Sequence, residues 1–203
     1  MMITVIDYKM GNLHSVMNAL SFIGAEATVS SDIADLRRAD KLILPGVGAF
    51  PDAMAALEAS GLKDEIIAEC RDGKPLLGIC LGMQLLFEES LEFGRTKGLG
   101  LIPGRVIPID AKGLKIPHMG WNSLTHHCSD KLIDGVADGD YVYFVHSFRA
   151  DTTDEYIISS SHYGEKIPAI VKALDMNVRG AQFHPEKSHD TGLKMFRNFA
   201  DIK

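Results

Sequence analysis

Two short segments carry residue types and spacings suited to nucleophilic chemistry. The first is Gly78-Ile79-Cys80-Leu81-Gly82. It joins an apolar run over 76–79 to a helical pattern over 81–89. The thiol is therefore predicted where a buried strand turns straight into a helix. Glycines two residues before and after the cysteine suit a turn too tight for side chains. Such a turn lifts the sulfur out of the sheet end and sets it at a helix N-terminus, where partial positive charge favours a thiolate. The amide of Leu81 would point back at the reaction centre as an oxyanion donor.

The second segment is Phe183-His184-Pro185-Glu186. A thiol nucleophile needs a base, and the base needs an orienting partner. Of the eight histidines, only His184 has a carboxylate two residues on. It ends the apolar run 178–183, and in an extended chain residues i and i+2 face the same side. Glu186 can then hold the imidazole while the other ring nitrogen faces Cys80. A third segment, Pro45-Gly46-Val47-Gly48, follows another strand. Its glycines allow a ligand close to the backbone, and Val47 or Gly48 could give a second oxyanion amide. An ordinary Gly-rich turn explains that loop equally well.

The elements that must position these groups follow from apolar periodicity. Strands are expected at 3–6, 27–29, 41–44 and 76–79, with helices at 13–23, 51–59, 62–71 and 81–89. Alternation at this spacing predicts an α/β fold, with a mostly parallel central sheet flanked by helices. From residue 104 to 182 the chain turns rich in Val, Ile and Tyr. Strands are expected there at 105–109, 122–124, 141–145, 157–162, 169–174 and 178–183. No helices separate them, so they form an added antiparallel portion. A helix over 191–200 closes the chain. No Ser/Gly-rich linker divides the halves, so residues 1–203 are read as one domain.

Composition narrows the classes further. The 203 residues carry 21 Lys+Arg against 27 Asp+Glu, a formal net charge of −6, which leaves no basic footprint for nucleic acid. The longest mostly apolar stretch, residues 75–87, is too short for a membrane span, which needs about 20 residues. The N-terminus has no basic region of a signal peptide. Three cysteines, Cys70, Cys80 and Cys128, cannot all pair, which favours a reducing, cytoplasmic setting. His126-His127-Cys128 lacks metal-ligand spacing and reads as a solvated loop, so no metal site is expected. Gly73-Lys74-Pro75 lacks the rest of a phosphate loop, and Gly98-Leu99-Gly100 lacks the third glycine of a dinucleotide fingerprint. No cofactor is expected.

GICLGMQLLFEES (78–90) with the downstream HPE (184–186) resembles the class I, or triad, glutamine amidotransferases. DYKMGNLHSV (7–16), LPGVGAF (44–50), GLGLIPGRV (98–106), PHMGWN (117–122) and YFVHSF (143–148) narrow the resemblance. They resemble the glutaminase subunits of imidazole glycerol phosphate synthases, from residue 3 to about residue 200. The resemblance implies the class I amidotransferase fold and a set of roles. Cys80 would attack the side-chain amide of L-glutamine and form a γ-glutamyl thioester. His184 would protonate the departing ammonia and then activate water, with Glu186 orienting it. Leu81 and the Val47–Gly48 loop would donate to the oxyanion. Gln84 and the His146-Ser147-Phe148 backbone would bind the α-amino and α-carboxylate end. Asn12, Trp121 and Lys187 fall in segments that would face a partner, a (β/α)8-barrel cyclase in a heterodimer, which uses the ammonia in histidine biosynthesis. For Trp121 a core position is the other reading.

Two rival functions belong beside this one. The chain could serve a different ammonia-using synthase, against which PHMGWN and YFVHSF speak. It could instead be a regulatory protein that binds glutamine or a partner without turnover, against which the intact Cys80, His184 and Glu186 set speaks.

Overall fold

A computed structural model describes residues 1–202. In chain order the elements begin β1 (Ile3–Ile6), α1 (Leu13–Phe22), β2 (Ala27–Ser30), α2 (Ile33–Arg38), β3 (Lys41–Leu44), α3 (Phe50–Ala59), α4 (Leu62–Arg71) and β4 (Leu76–Ile79). They continue α5 (Leu81–Leu85), β5 (Phe87–Ser90), β6 (Thr96–Lys97), β7 (Ile102–Pro108), β8 (His118–Ser123) and β9 (Thr125–His126). The last are β10 (Tyr141–His146), β11 (Phe148–Asp151), β12 (Ile157–Tyr163), β13 (Glu165–Lys172), β14 (Val178–Ala181) and α6 (His189–Asp201).

Eight strands form the central sheet in the order β2-β1-β3-β4-β14-β13-β12-β9. The first five run parallel, and β13, β12 and β9 extend the sheet antiparallel. β1, β3 and β4 are buried along their whole length, as continuous apolar runs require when helices cover both faces. On one face Phe50, Met54, Leu57, Leu62 and Ile66 of α3 and α4 fill the core. On the other, Val16 and Leu20 of α1 pack with Met195, Phe196 and Phe199 of α6. Two smaller sheets, β10-β8 and β11-β7-β5-β6, build over the end where the parallel strands finish.

The α/β architecture and the antiparallel addition agree with the sequence reading. Two elements do not. β14, expected in the antiparallel portion, runs parallel beside β4 because it enters the central sheet at that strand's free edge. The expected helix over 81–89 stops at Leu85, and the chain enters strand β5. Every residue from Leu81 to Phe87 is buried, so the run carries no period to distinguish helix from strand. The carbonyls that would continue the helix are taken by another segment: Leu99 N donates to Leu85 O at 2.9 Å and Leu101 N to Leu86 O at 2.8 Å. Five elements have no counterpart in the expectations, among them the two-residue strands β6 and β9. α2 is only six residues, set by the Asp32 cap on Ala34 N. β5 lies inside the misread helix, and β11 follows β10 after a single residue, Ser147.

The parallel pairing positions the chemistry. Ile79 of β4 stands opposite Ala181 of β14, and Leu44 of β3 opposite Gly78. Cys80 N then donates to Ala181 O at 2.7 Å. The chain leaves all three strands at the same sheet edge. Cys80, His184 and residues 45–48 therefore meet there, in the crevice where open α/β sheets hold their ligands.

Candidate active site

The turn at Cys80 is as tight as its glycines suggest. A Cβ on Gly82 would overlap the Leu44 carbonyl oxygen, and one on Gly78 would lie 2.6 Å from Gly82 O. Cys80 itself has φ 54° and ψ −110°, a backbone conformation rarely adopted by L-residues and one typical of a strained nucleophile turn. The thiol is 7% exposed. Its sulfur lies 3.9 Å from Val145 O and 4.0 Å from Gln182 Nε2.

His184 follows β14 in extended conformation and is buried. Its Nδ1 lies 2.7 Å from Glu186 Oε1. The expected extended i, i+2 arrangement is replaced by a 3₁₀ turn over Pro185–Lys187, which begins at once after His184. Proline at its first position fits this turn, because no amide hydrogen is needed there. Burial alone would lower the imidazole pKa. The hydrogen bonds to Cys80 and Glu186 outweigh it and raise the value to about 10. That holds His184 on the protonated side of its titration at neutral pH, between the Cys80 sulfur and the Glu186 carboxylate.

A cavity of about 410 Å³ opens on these groups, large enough for an amino-acid-sized ligand. Of the residues singled out from the sequence, Val47, Gly48, Cys80, Leu81, Gln84, His146, Ser147, Phe148 and His184 all line it. Glu186 stands behind His184. Gln84 donates its Nε2 to Phe148 O at 2.9 Å and to Gln182 Oε1 at 3.0 Å. His146 is 6% exposed, and burial, first among its influences, pushes its pKa down to about 3.

Two further residues in the site escape the sequence reading. Glu92 lines the cavity with its carboxylate, and its Oε2 accepts from Phe50 N at 2.8 Å. Tyr8 is buried and donates its hydroxyl to Pro45 O at 2.8 Å, fixing the loop that carries Val47. Burial pushes its phenol pKa up. Glu92 sits in an acidic loop with no periodic signal, whereas Tyr8 lies inside the DYKMGNLHSV segment.

The three partner-facing candidates separate into two places. Trp121 on β8 is 42% exposed, so the core reading does not hold. It stacks on His189 at 4.9 Å and meets Tyr143 edge-on at 5.9 Å. Lys187 Nζ lies 5.9 Å from the Tyr143 ring. These residues form one surface cluster beside the His184 turn. Asn12 instead caps α1, accepting from Ser15 N at 3.3 Å. His126 and His127 reach Ser159 and Ser160 on β12.

Residues 4–202 match the family described as Glutamine amidotransferase class-I. The chain belongs to the class I glutamine amidotransferases. Among its relatives, the "Imidazole glycerol phosphate synthase subunit HisH" of Caldanaerobacter subterraneus subsp. tengcongensis is 48% identical over 202 residues, 99% of this chain and 98% of that one. The protein of the same description from Bacillus cereus is 50% identical over 201 residues, 99% of this chain and 95% of that one. The amidotransferase fold recurs in two solved structures. PurLQS from Thermotoga maritima has a TM-score of 0.77 at 23% identity, covering 98% of this chain and 96% of that one. A crystal structure of a glutamine amidotransferase has a TM-score of 0.75 at 21% identity, covering 98% of this chain and 99% of that one. No helix among the described residues is long and apolar enough to cross a membrane.

Proposed function

We propose that this amidotransferase hydrolyses L-glutamine to glutamate and ammonia and passes the ammonia to a cyclase partner making imidazole glycerol phosphate. One observation carries the reading: Cys80 and His184 leave neighbouring parallel strands into one cavity, with Glu186 bonded to the far side of the imidazole.

Cys80 Sγ attacks the side-chain amide carbon of glutamine. The carbonyl oxygen becomes an oxyanion, stabilised by the Leu81 amide and by one from the Val47–Gly48 loop. His184 gives its proton to the amide nitrogen, the C–N bond breaks, and ammonia leaves a γ-glutamyl thioester. The now neutral His184 takes a proton from water, which attacks the thioester carbonyl. The C–S bond breaks, glutamate is released, and Cys80 and the protonated His184 are regenerated. Glu186 holds the ring in the tautomer that serves both steps. Gln84, Glu92, Ser147 and Phe148 hold the amino-acid end of the substrate, with the Glu92 carboxylate facing its ammonium.

The chain acts as one domain in the cytoplasm and needs no cofactor. Its partner is a (β/α)8-barrel cyclase, bound as a heterodimer over the surface that includes Trp121, Lys187 and Asn12. The names and near full-length identity of the HisH relatives support this synthase over other ammonia users. Glutamate and ammonia release, measured with and without the cyclase and its acceptor ligand, tests the proposal. Stimulation by the liganded cyclase is expected; turnover indifferent to it would contradict the coupled complex.

A further inference from the structure

Two imidazoles take no part in these steps: His146 lines the cavity, and His118 packs behind it. His146 Nδ1 is 2.8 Å from Phe148 O, and His146 Nε2 is 2.9 Å from His118 Nδ1. His118 Nε2 in turn is 2.9 Å from Asn122 Oδ1. A carbonyl oxygen cannot donate, so His146 must carry its proton on Nδ1. His146 sits deeply buried beside two other imidazoles and is neutral, which leaves its Nε2 bare. The bare nitrogen can only accept, so His118 must carry a proton on Nδ1. With His146 neutral the contacts run one way, His118 Nδ1–H to His146 Nε2 and His146 Nδ1–H to Phe148 O.

The His118 ring cannot turn away. It is fully buried between Phe144 and Tyr163, stacked at 4.7 Å and 4.0 Å with interplanar angles of 21° and 16°. What this locked pair holds is the Phe148 carbonyl, whose other lone pair accepts from Gln84 Nε2. Gln84 gives its second amide hydrogen to Gln182. With both hydrogens committed, the only polar atom Gln84 can offer a ligand is its Oε1, an acceptor.

We propose that His118 and His146 are positioning residues for glutamine: by fixing the Phe148 carbonyl they present Gln84 as a hydrogen-bond acceptor to the substrate's α-ammonium. A carboxylate there would be repelled, so the pair sets which way round the amino-acid end binds. Glu92, lining the same cavity, adds the complementary charge. The inference rests on the proposed glutaminase reading and deepens it at one subsite.

The test compares glutamine with glutaramic acid, which lacks only the α-ammonium, in the cyclase complex. In His146→Leu the KM for glutamine should rise about tenfold, the size of one net hydrogen bond. kcat and the inhibition constant of glutaramic acid should move less than about threefold. In His146→Asn the amide can replace Nδ1–H towards Phe148 O and should restore KM. A merely structural role predicts equal weakening for both ligands and no rescue, and either result overturns the inference. Should the variants not fold, ¹⁵N NMR of the wild-type imidazoles decides: the Nδ1–H form of His146 is expected, and the Nε2–H form overturns it. If the wild-type complex releases no ammonia from glutamine, the glutaminase reading fails, while the tautomers remain measurable.

Discussion

His184 Nδ1 and Glu186 Oε1 lie 2.7 Å apart across the start of a 3₁₀ turn, with side-chain exposures of 4% and 1%. Burial discourages an imidazolium, yet the contacts with Cys80 and Glu186 raise the His184 pKa to about 10. The acid that must protonate the departing amide nitrogen is therefore present throughout the neutral range. kcat/KM for glutamine should show no His184 limb near 6.5 and should fall as pH approaches 10. Glu186→Gln removes one raising interaction, so the falling limb should move to lower pH. The rate should drop by about 10²–10⁴, as for loss of an orienting carboxylate in comparable triads. A pH–rate series on both proteins checks this.

Gly82 has no space for a side chain, because its Cβ would overlap the Leu44 carbonyl oxygen. Gly82→Ala must push β3 away from the Cys80 turn. A loss of about 2–4 kcal/mol is expected from strain at a close-packed backbone site. Glutaminase activity should fall further than stability, since the shift moves both Cys80 and the loop bearing Val47. Denaturant unfolding and turnover of the folded fraction measure the two effects separately.

These two sites show what the sequence makes legible. Cys80 and its flanking glycines are readable because a strand–turn–helix nucleophile leaves little choice of residue at each place. The His184–Glu186 pair is readable too, although its turn is not. The proline that starts the 3₁₀ turn looks, in sequence, like an extended residue. The parallel order of β3, β4 and β14 follows from alternation with helices, apart from β14, which arrives after a long antiparallel excursion. Residues 81–87 are opaque for a different reason. An entirely buried segment has no polar face, and only the capture of the Leu85 and Leu86 carbonyls by residues 99–102 decides its form. Glu92 is invisible because its role depends on that same loop folding back over the cavity.

Acid should destabilise the protein before its carboxylates titrate. His146 has its pKa pushed down to about 3, first by burial and then by His118 and His184, against the Phe148 hydrogen bond. Unfolding restores an ordinary value near 6.5, so between about 3 and 6.5 the unfolded chain binds more protons. The His146 contribution is complete above 6.5 and is lost as pH falls through that window, by up to about 1.4 kcal/mol per pH unit for one group. His118, also lowered by burial, adds in the same direction. His146→Leu should flatten the slope between pH 6.5 and 5 in denaturant midpoints.

Trp121 stands half out of the surface, stacked on His189 and edge-on to Tyr143. A large, pre-positioned aromatic is the commonest kind of interface anchor. Trp121→Ala should weaken cyclase binding by about 2 kcal/mol, roughly thirtyfold, while the fold is unchanged. Titration calorimetry of the two chains, with circular dichroism of the variant, checks this.

Everything in the proposed chemistry depends on Cys80 carrying the γ-glutamyl group. Wild-type protein and Cys80→Ala, each with the cyclase and its acceptor ligand, are given glutamine, and free ammonia and glutamate are counted. The wild type should release both in equal amounts. The variant should still bind the cyclase and release neither above the uncatalysed rate. Ammonia release by the variant at a substantial fraction of the wild-type rate would contradict the account.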